Sequence, residues 1–348
     1  MPASQPTKVP GKLRLAQRLR VLAVPLALFC ITTTAYAENQ TSAPSRAEKA
    51  LLWESVDPAF QRQLARRLDT LGFGAAVQEK NLAVALVDIS VMDEPKVAAV
   101  NGDVMLYAAS LPKIAILLAA FERIEAGEIP LDDETEELMR RMIQHSSNWA
   151  ATEMMDRVGK EYIAKVLSSP KYELYDEARN GGLWAGKDYG DAGLWRRDPL
   201  HNLSHGATAM QVARFYYLLE KGELVDEEAS DEMKGILGES AIDHKFVKAL
   251  GRIDASAKIF RKSGTWQRWH ADSAIVERGG RRYIVVALCE DDDGGRWLER
   301  IFHVADALVM DAPIPQMARA AASAKEAPPS PRPESPTVRR GRHEVLRR

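Results

Sequence analysis

Two stretches of strand-like sequence stand at opposite ends of this chain, with the mostly helical pattern of residues 128 to 250 between them. At the front, "LAVALVDIS" and "PKVAAVNGD" read as strands joined by the polar "VMDEP", a hairpin connection. At the back, "SAKIFRKSGT", "WHADSAIVERGG" and "RRYIVVALCED" carry β character, the last two around a Gly-Gly turn. Strands at both ends with helices between them imply one sheet assembled from both ends of the chain. The expected class is α/β in the α+β sense. It has an antiparallel five-stranded sheet with flanking helices and an inserted all-helical region, interrupted at the Gly-rich "NGGLWAGKDYGDAGLW". Phe60, Leu64, Leu68 and Leu71 recur at helical spacing up to Gly72, and "RWLERIFHVADALVMD" closes the body as a helix. A site in such a fold belongs in the cleft between sheet and insertion.

The ends outside this body differ in composition. Residues 1–37 carry Lys8, Lys12, Arg14, Arg18 and Arg20 without an acid, then the apolar "VLAVPLALFCI", then Ala35-Tyr36-Ala37. That is the pattern of a secretory signal peptide, and it predicts an exported protein, periplasmic or extracellular after cleavage. Eleven apolar residues broken by Pro25 are too few to span a bilayer, so no stable membrane span is expected after cleavage. Phe29 before Cys30 argues against a lipoprotein. Cleavage leaves Cys289 alone, which excludes an internal disulfide and makes this strand thiol a buried structural one. Residues 38–57 read as a linker, 58–311 as the folded domain, and 312–348, rich in Pro, Ala and Arg, as a disordered tail. The net charge of −2 conceals +5 on the leader and +5 on the tail around a body of −12, which disfavours nucleic acid as a partner. The sequence specifies no oligomeric state.

The apolar stretch "LYAASLPKIAILLAAFERIEAG" contains one lysine, Lys113, a turn inside its expected start and three residues after Ser110. Pro112 is tolerated in a first helical turn, and an i,i+3 pair shares a face. Burial among Ile114, Ile116, Leu117 and Leu118 would lower the lysine pKa and make a neutral amine available to take the serine proton. A second copy of the spacing, Ser168 to Lys171, precedes no apolar helix and reads as a loop without a role. Two weaker signals join the first. "QHSSNWAA" holds Ser146 and Asn148 between two helical patterns, where a serine also serves as a helix N-cap. "FRKSGT" sets Lys262, Ser263, Gly264 and Thr265 at the end of a strand, where a small residue and a glycine let a ligand approach the backbone.

In the order SxxK, SxN, K[ST]G, these motifs resemble the penicillin-recognising serine enzymes, the class A β-lactamases and penicillin-binding proteins, over roughly residues 58 to 311. The resemblance implies a β-lactamase/transpeptidase-like fold. It implies Ser110 as the acylated nucleophile, Lys113 as its proton partner, and Ser146 as a relay to the leaving nitrogen, tuned by Lys262. It gives Asn148 to the substrate's amide, Lys262 and Ser263 to its carboxylate, and the N–H groups of Ser110 and Thr265 beside Gly264 to the oxyanion. It implies no cofactor and no metal. The expected function is a β-lactamase-like serine hydrolase with a small-molecule β-lactam as substrate. The alternatives are a D,D-peptidase acting on peptidoglycan stem peptides and a non-catalytic binding domain, with an esterase further behind.

Three departures stand out. The second motif is Ser-Ser-Asn and the third starts Lys-Ser, changes that keep the necessary atoms. The segment from Ser110 to Ser146 is short for class A. The ExxLN sequence that supplies the deacylating glutamate in class A is missing, with Glu177, Asp188 and Asp191 as unranked substitutes. Trp266, Trp269 and His270 are expected either to line the cleft or to pack about a turn, and His205 to cap or pack near the next helix.

Overall fold

A computed structural model describes residues 51–190 and 195–316. The leader, most of the linker, Asp191 and the tail beyond 316 lie outside the described residues. The chain opens with helices α1 (Leu51–Glu54), α2 (Pro58–Thr70) and α3 (Gly74–Gln78), then strands β1 (Leu82–Asp88), β2 (Lys96–Val100) and β3 (Leu106–Tyr107). Helices α4 (Lys113–Glu125), α5 (Asp133–Gln144), α6 (Asn148–Val158) and α7 (Lys160–Leu167) follow. Short strand β4 (Tyr175–Asp176) precedes the Gly-rich stretch, β5 (Gly181–Gly182) and β6 (Trp184–Ala185) lie in it, and β7 (His205–Ala207) follows it. Next come α8 (Ala209–Glu220), α9 (Glu227–Leu237) and α10 (Phe246–Gly251). Strands β8 (Lys258–Trp266), β9 (Trp269–Arg278) and β10 (Arg281–Glu290) and helix α11 (Gly294–Val309) complete the fold.

The main sheet has the order β2-β1-β10-β9-β8 and is antiparallel throughout. The two chain ends join where β1 meets β10, Leu82 opposite Cys289 and Asp88 opposite Tyr283. β1 is apolar at nearly every position because both faces of the sheet are covered. Leu82, Val84 and Leu86 pack with α2, α10 and α11, whereas Ala83, Ala85 and Val87 pack with the helical insertion. Cys289 belongs to the former core, buried, with its thiol pushed up to about 12. The insertion is more than helices: a small sheet, β3-β7-β6, ties the chain just before Ser110 to the Gly-rich stretch. At its centre α4 buries nine consecutive residues, Lys113 to Phe121, the mark of a helix enclosed on all sides. No helix among the described residues is long and apolar enough to cross a membrane.

One buried ion pair anchors the last strands. Arg261 on β8 donates to Asp272 on β9 through Nε at 2.8 Å and Nη2 at 3.0 Å, their side chains 1% and 0% exposed. Replacing only the carboxylate strands a buried guanidinium. Asp272→Ala is therefore expected to lower stability by about 3–5 kcal/mol, read from the urea midpoint at unchanged slope.

Candidate active site

The site is built where β3, α4, the α5–α6 loop and β8 converge. Ala108 N donates to His205 O at 2.9 Å, which holds the exit of β3 against β7. Ala109 then takes a φ of +50° and residues 109–112 turn, so that α4 starts at Lys113 with Pro112 as its cap. The helix thus begins three residues later than the sequence pattern suggests, because a proline disfavours helical geometry at the residue before it. Ser110 rides this turn, half-buried, its hydroxyl without a hydrogen-bond partner among the described residues.

Lys113 is 0% exposed. Its Nζ donates to Ser146 O at 2.7 Å, Ser147 O at 3.2 Å and Asn148 Oδ1 at 3.0 Å, and lies 4.5 Å from the centre of the Tyr189 ring. Burial brings its pKa down to about 7. An ammonium fills all three acceptors, whereas a neutral amine keeps two donors and frees a lone pair to accept a proton from a nearby hydroxyl.

Ser146 has a φ of +55°, which turns its carbonyl toward Lys113 while its Oγ accepts from Lys262 Nζ at 2.8 Å. The capping duty falls to the middle residue of the triplet, Ser147, whose Oγ accepts from Ala150 N at 3.2 Å. Ser146 and Asn148 are therefore left to bond with the site's two lysines. Lys262 also donates to Ser263 O at 2.8 Å, and burial, then repulsion from Lys113, hold its pKa well below the ordinary lysine value. Two amines thus meet on one serine from opposite sides. An anionic ligand beside Lys262 would offset their repulsion.

Strand periodicity sorts the third motif. Lys262, Gly264 and Trp266 face the insertion; Arg261, Ser263 and Thr265 face the other way, toward Asp272, His244 and Lys245. Ser263 Oγ is 3.4 Å from His244 Nε2, an imidazole whose pKa burial, then Arg261, lower to about 4. A Cβ on Gly264 would stand 2.0 Å from Ala108 O and 2.9 Å from Ser110 N, so only glycine lets β8 touch the turn that carries Ser110. Trp266 and Trp269 flank the two-residue turn Gln267–Arg268. By strand parity Thr265, opposite His270, is then a non-hydrogen-bonded position, and its N–H points off the open edge of β8, one residue from the glycine that the Ser110 turn touches.

The other sequence candidates disperse. Asp188 pairs with Lys160 at 2.7 Å, and Glu177 lines a separate cavity of about 670 Å³ with Glu161, Lys165 and Trp184. Asp191 is outside the described residues. The group that reaches Lys113 from this region is Tyr189, a residue the sequence pattern does not single out. Its ring stacks on His205 at 4.2 Å and 8°. His205 is thus a packing partner, its pKa lowered to about 3 by burial, then Lys113, while Thr208 caps α8. Trp266, 51% exposed, packs edge-on to Tyr107 at 5.5 Å and forms a rim of the cleft. His270 lies beneath the sheet against Gly294. Ser168 ends α7, and its companion Lys171 pairs with Glu122, remote from this constellation. Among the described residues no cluster of His, Cys, Asp or Glu could hold a metal ion.

Comparison with known proteins agrees with this architecture. The sequence matches the model of the beta-lactamase enzyme family over residues 63–136 and 134–310. No curated protein sequence matches it. The fold is similar to a beta-lactamase from Sphaerobacter thermophilus DSM 20745, with a TM-score of 0.56 at 16% identity over 71% of this chain and 99% of that one. It is similar to a class A representative from Bacteroides cellulosilyticus DSM 14838, with a TM-score of 0.55 at 17% identity over 72% and 99%. It is also similar to the structure of PBP-A, with a TM-score of 0.52 at 17% identity over 78% and 97%. Identities this low establish the fold.

Proposed function

Because the chain belongs to the beta-lactamase enzyme family, we propose that it is an exported serine hydrolase in which Ser110 is acylated by β-lactams or related amides. Lys113 takes the Ser110 proton. Ser146, held by Lys262, passes a proton to the leaving nitrogen, so the ring or peptide C–N bond breaks as the Ser110 ester forms. Asn148 receives the substrate's amide and Lys262 its carboxylate, whereas the Ser263 hydroxyl, expected to share that carboxylate, is turned to the opposite face of β8 toward His244. The N–H groups of Ser110 and Thr265 stabilise the oxyanion, each donor worth about 3–4 kcal/mol by analogy with other acyl-transfer enzymes. The observation that carries this reading is the pair of buried lysines bonded to one serine, Lys113 to its carbonyl and Lys262 to its hydroxyl. Export rests on the leader sequence.

A second reading, a penicillin-binding D,D-peptidase, is favoured by the surroundings of Lys113. Its hydrogen-bond partners are two carbonyls and an amide, and the stacked rings of Tyr189 and His205 stand beside it. No carboxylate bonds to it among the described residues to activate a deacylating water. Benzylpenicillin is therefore expected to leave an adduct on residues 38–348 that persists for minutes or longer by intact-mass spectrometry. Release of D-alanine from a D-Ala-D-Ala peptide would then select the peptidase. Rapid loss of the adduct with penicillin consumed would sink the second reading and establish a β-lactamase.

A further inference from the structure

The most deeply enclosed lysine without a part in this scheme is Lys245. It is 2% exposed, and its backbone, at φ +52° and ψ −117°, lies in a region that a non-glycine residue adopts only when its surroundings compel it. Its Nζ donates to Gly264 O at 2.6 Å, Thr265 Oγ1 at 2.7 Å and Ala271 O at 3.1 Å. The nearby carboxylate, Asp272, is engaged by Arg261 and by Phe246 N. Lys245 thus spends a buried charge on neutral oxygens, an expensive arrangement for mere packing.

Two of those oxygens belong to the third motif. Gly264 O and Thr265 N are the two ends of one trans peptide, because the described chain contains no cis bond. They point in opposite directions, the carbonyl toward β9 and Lys245, the N–H off the open edge of β8, beside the glycine that touches the Ser110 turn. A charged donor on the carbonyl draws electron density through the amide and strengthens the N–H as a donor. The bond to Thr265 Oγ1 fixes the orientation of the same residue. We propose that Lys245 is a positioning residue that locks and polarises the Gly264–Thr265 peptide, so that Thr265 N–H is set to receive the oxyanion formed at Ser110. This rests on the acyl-transfer reading above.

The effect requires the ammonium. Burial lowers the Lys245 pKa to about 8. Asp272 on β9 and Cys289 on β10 raise it, Arg261 on β8 lowers it, and the other groups facing it are His270, His244 and Lys262. Charge is complete well below pH 8 and lost above it. The acylation rate should therefore fall on the alkaline side as Lys245 deprotonates.

The test uses the mature chain with benzylpenicillin and separates pre-covalent binding from the acylation step. Lys245→Met is expected to slow acylation about 10²-fold with binding changed less than about 3-fold, and to abolish the alkaline fall. Lys245→Arg, which keeps its charge at any accessible pH, should retain most of the rate and lose the fall as well. A backbone ¹⁵N–¹H titration of the wild type should show the Thr265 amide following an ionisation near pH 8 that Lys245→Arg removes. An equal loss in binding and rate, an unchanged alkaline limb in either variant, or a Thr265 amide indifferent to pH would overturn the inference. If the wild type forms no adduct, the acyl-transfer reading falls, and the Thr265 titration still decides whether Lys245 polarises that peptide.

Discussion

Ser110→Ala is expected to abolish covalent labelling by benzylpenicillin and to reduce kcat/KM for any turned-over amide by on the order of 10⁴–10⁶-fold, with thermal stability little changed. The reasoning is local. Ser110 rides a turn held from both sides, by the β3–β7 ladder and by the close approach of Gly264. The hydroxyl makes no hydrogen bond among the described residues, so its removal breaks none there. Loss of labelling with an unaltered melting curve would assign the nucleophile. Full labelling of the variant would move the chemistry elsewhere, whereas Ser168→Ala should be silent, because that serine lies far along α7.

The second large effect concerns Lys113 and pH. A base must be neutral to act, and burial puts the Lys113 pKa at about 7. Below that value the neutral fraction falls tenfold per pH unit. Acylation should therefore rise with pH through 7 and level off above it, until the alkaline fall assigned to Lys245 begins. Lys113→Met should lower the acylation rate about 10³-fold and erase the acid limb. A variant that keeps the wild-type profile would show that some other group takes the proton. Since Lys113 and Lys262 repel each other across Ser146, a substrate carboxylate near Lys262 should also shift the acid limb between free and bound enzyme.

Much of this was readable in the chain because each feature had a local cause. The strands at both ends are apolar enough to demand a covered sheet, and Lys113 is conspicuous as the only charge between Leu106 and Phe121. The glycine of the third motif reads as room for a ligand at the backbone, whereas the space a Cβ would fill is taken by the Ser110 turn of the chain itself. What stayed hidden depends on tertiary proximity. Lys245 in "DHKFVKAL" looks like one more surface lysine, because nothing nearby in sequence shows that Gly264 and Ala271 will close over it. Tyr189 lies in the polar "KDYGD", and its stack on His205 joins positions that no periodicity links. The short strands in and around the Gly-rich stretch are two or three residues long, too brief for a pattern of alternation to show. Glu177 and Asp188 were plausible only as carboxylates of the right region. Side-chain geometry turned Asp188 to Lys160 and Glu177 to another cavity.

The pairing of β1 with β10 also governs when this molecule can fold. Leu82 must find Cys289, a partner synthesised roughly 200 residues later, and loop closure over that distance makes folding slow. Until the last strands emerge, β1 lacks the partner that covers its inner edge, and the Ser110 turn lacks the β8 backbone against which it is built. A nascent chain that ends before β8 thus holds its nucleophile and its lysine without a cleft. Reactivity should appear late and all at once, in step with closure of the sheet.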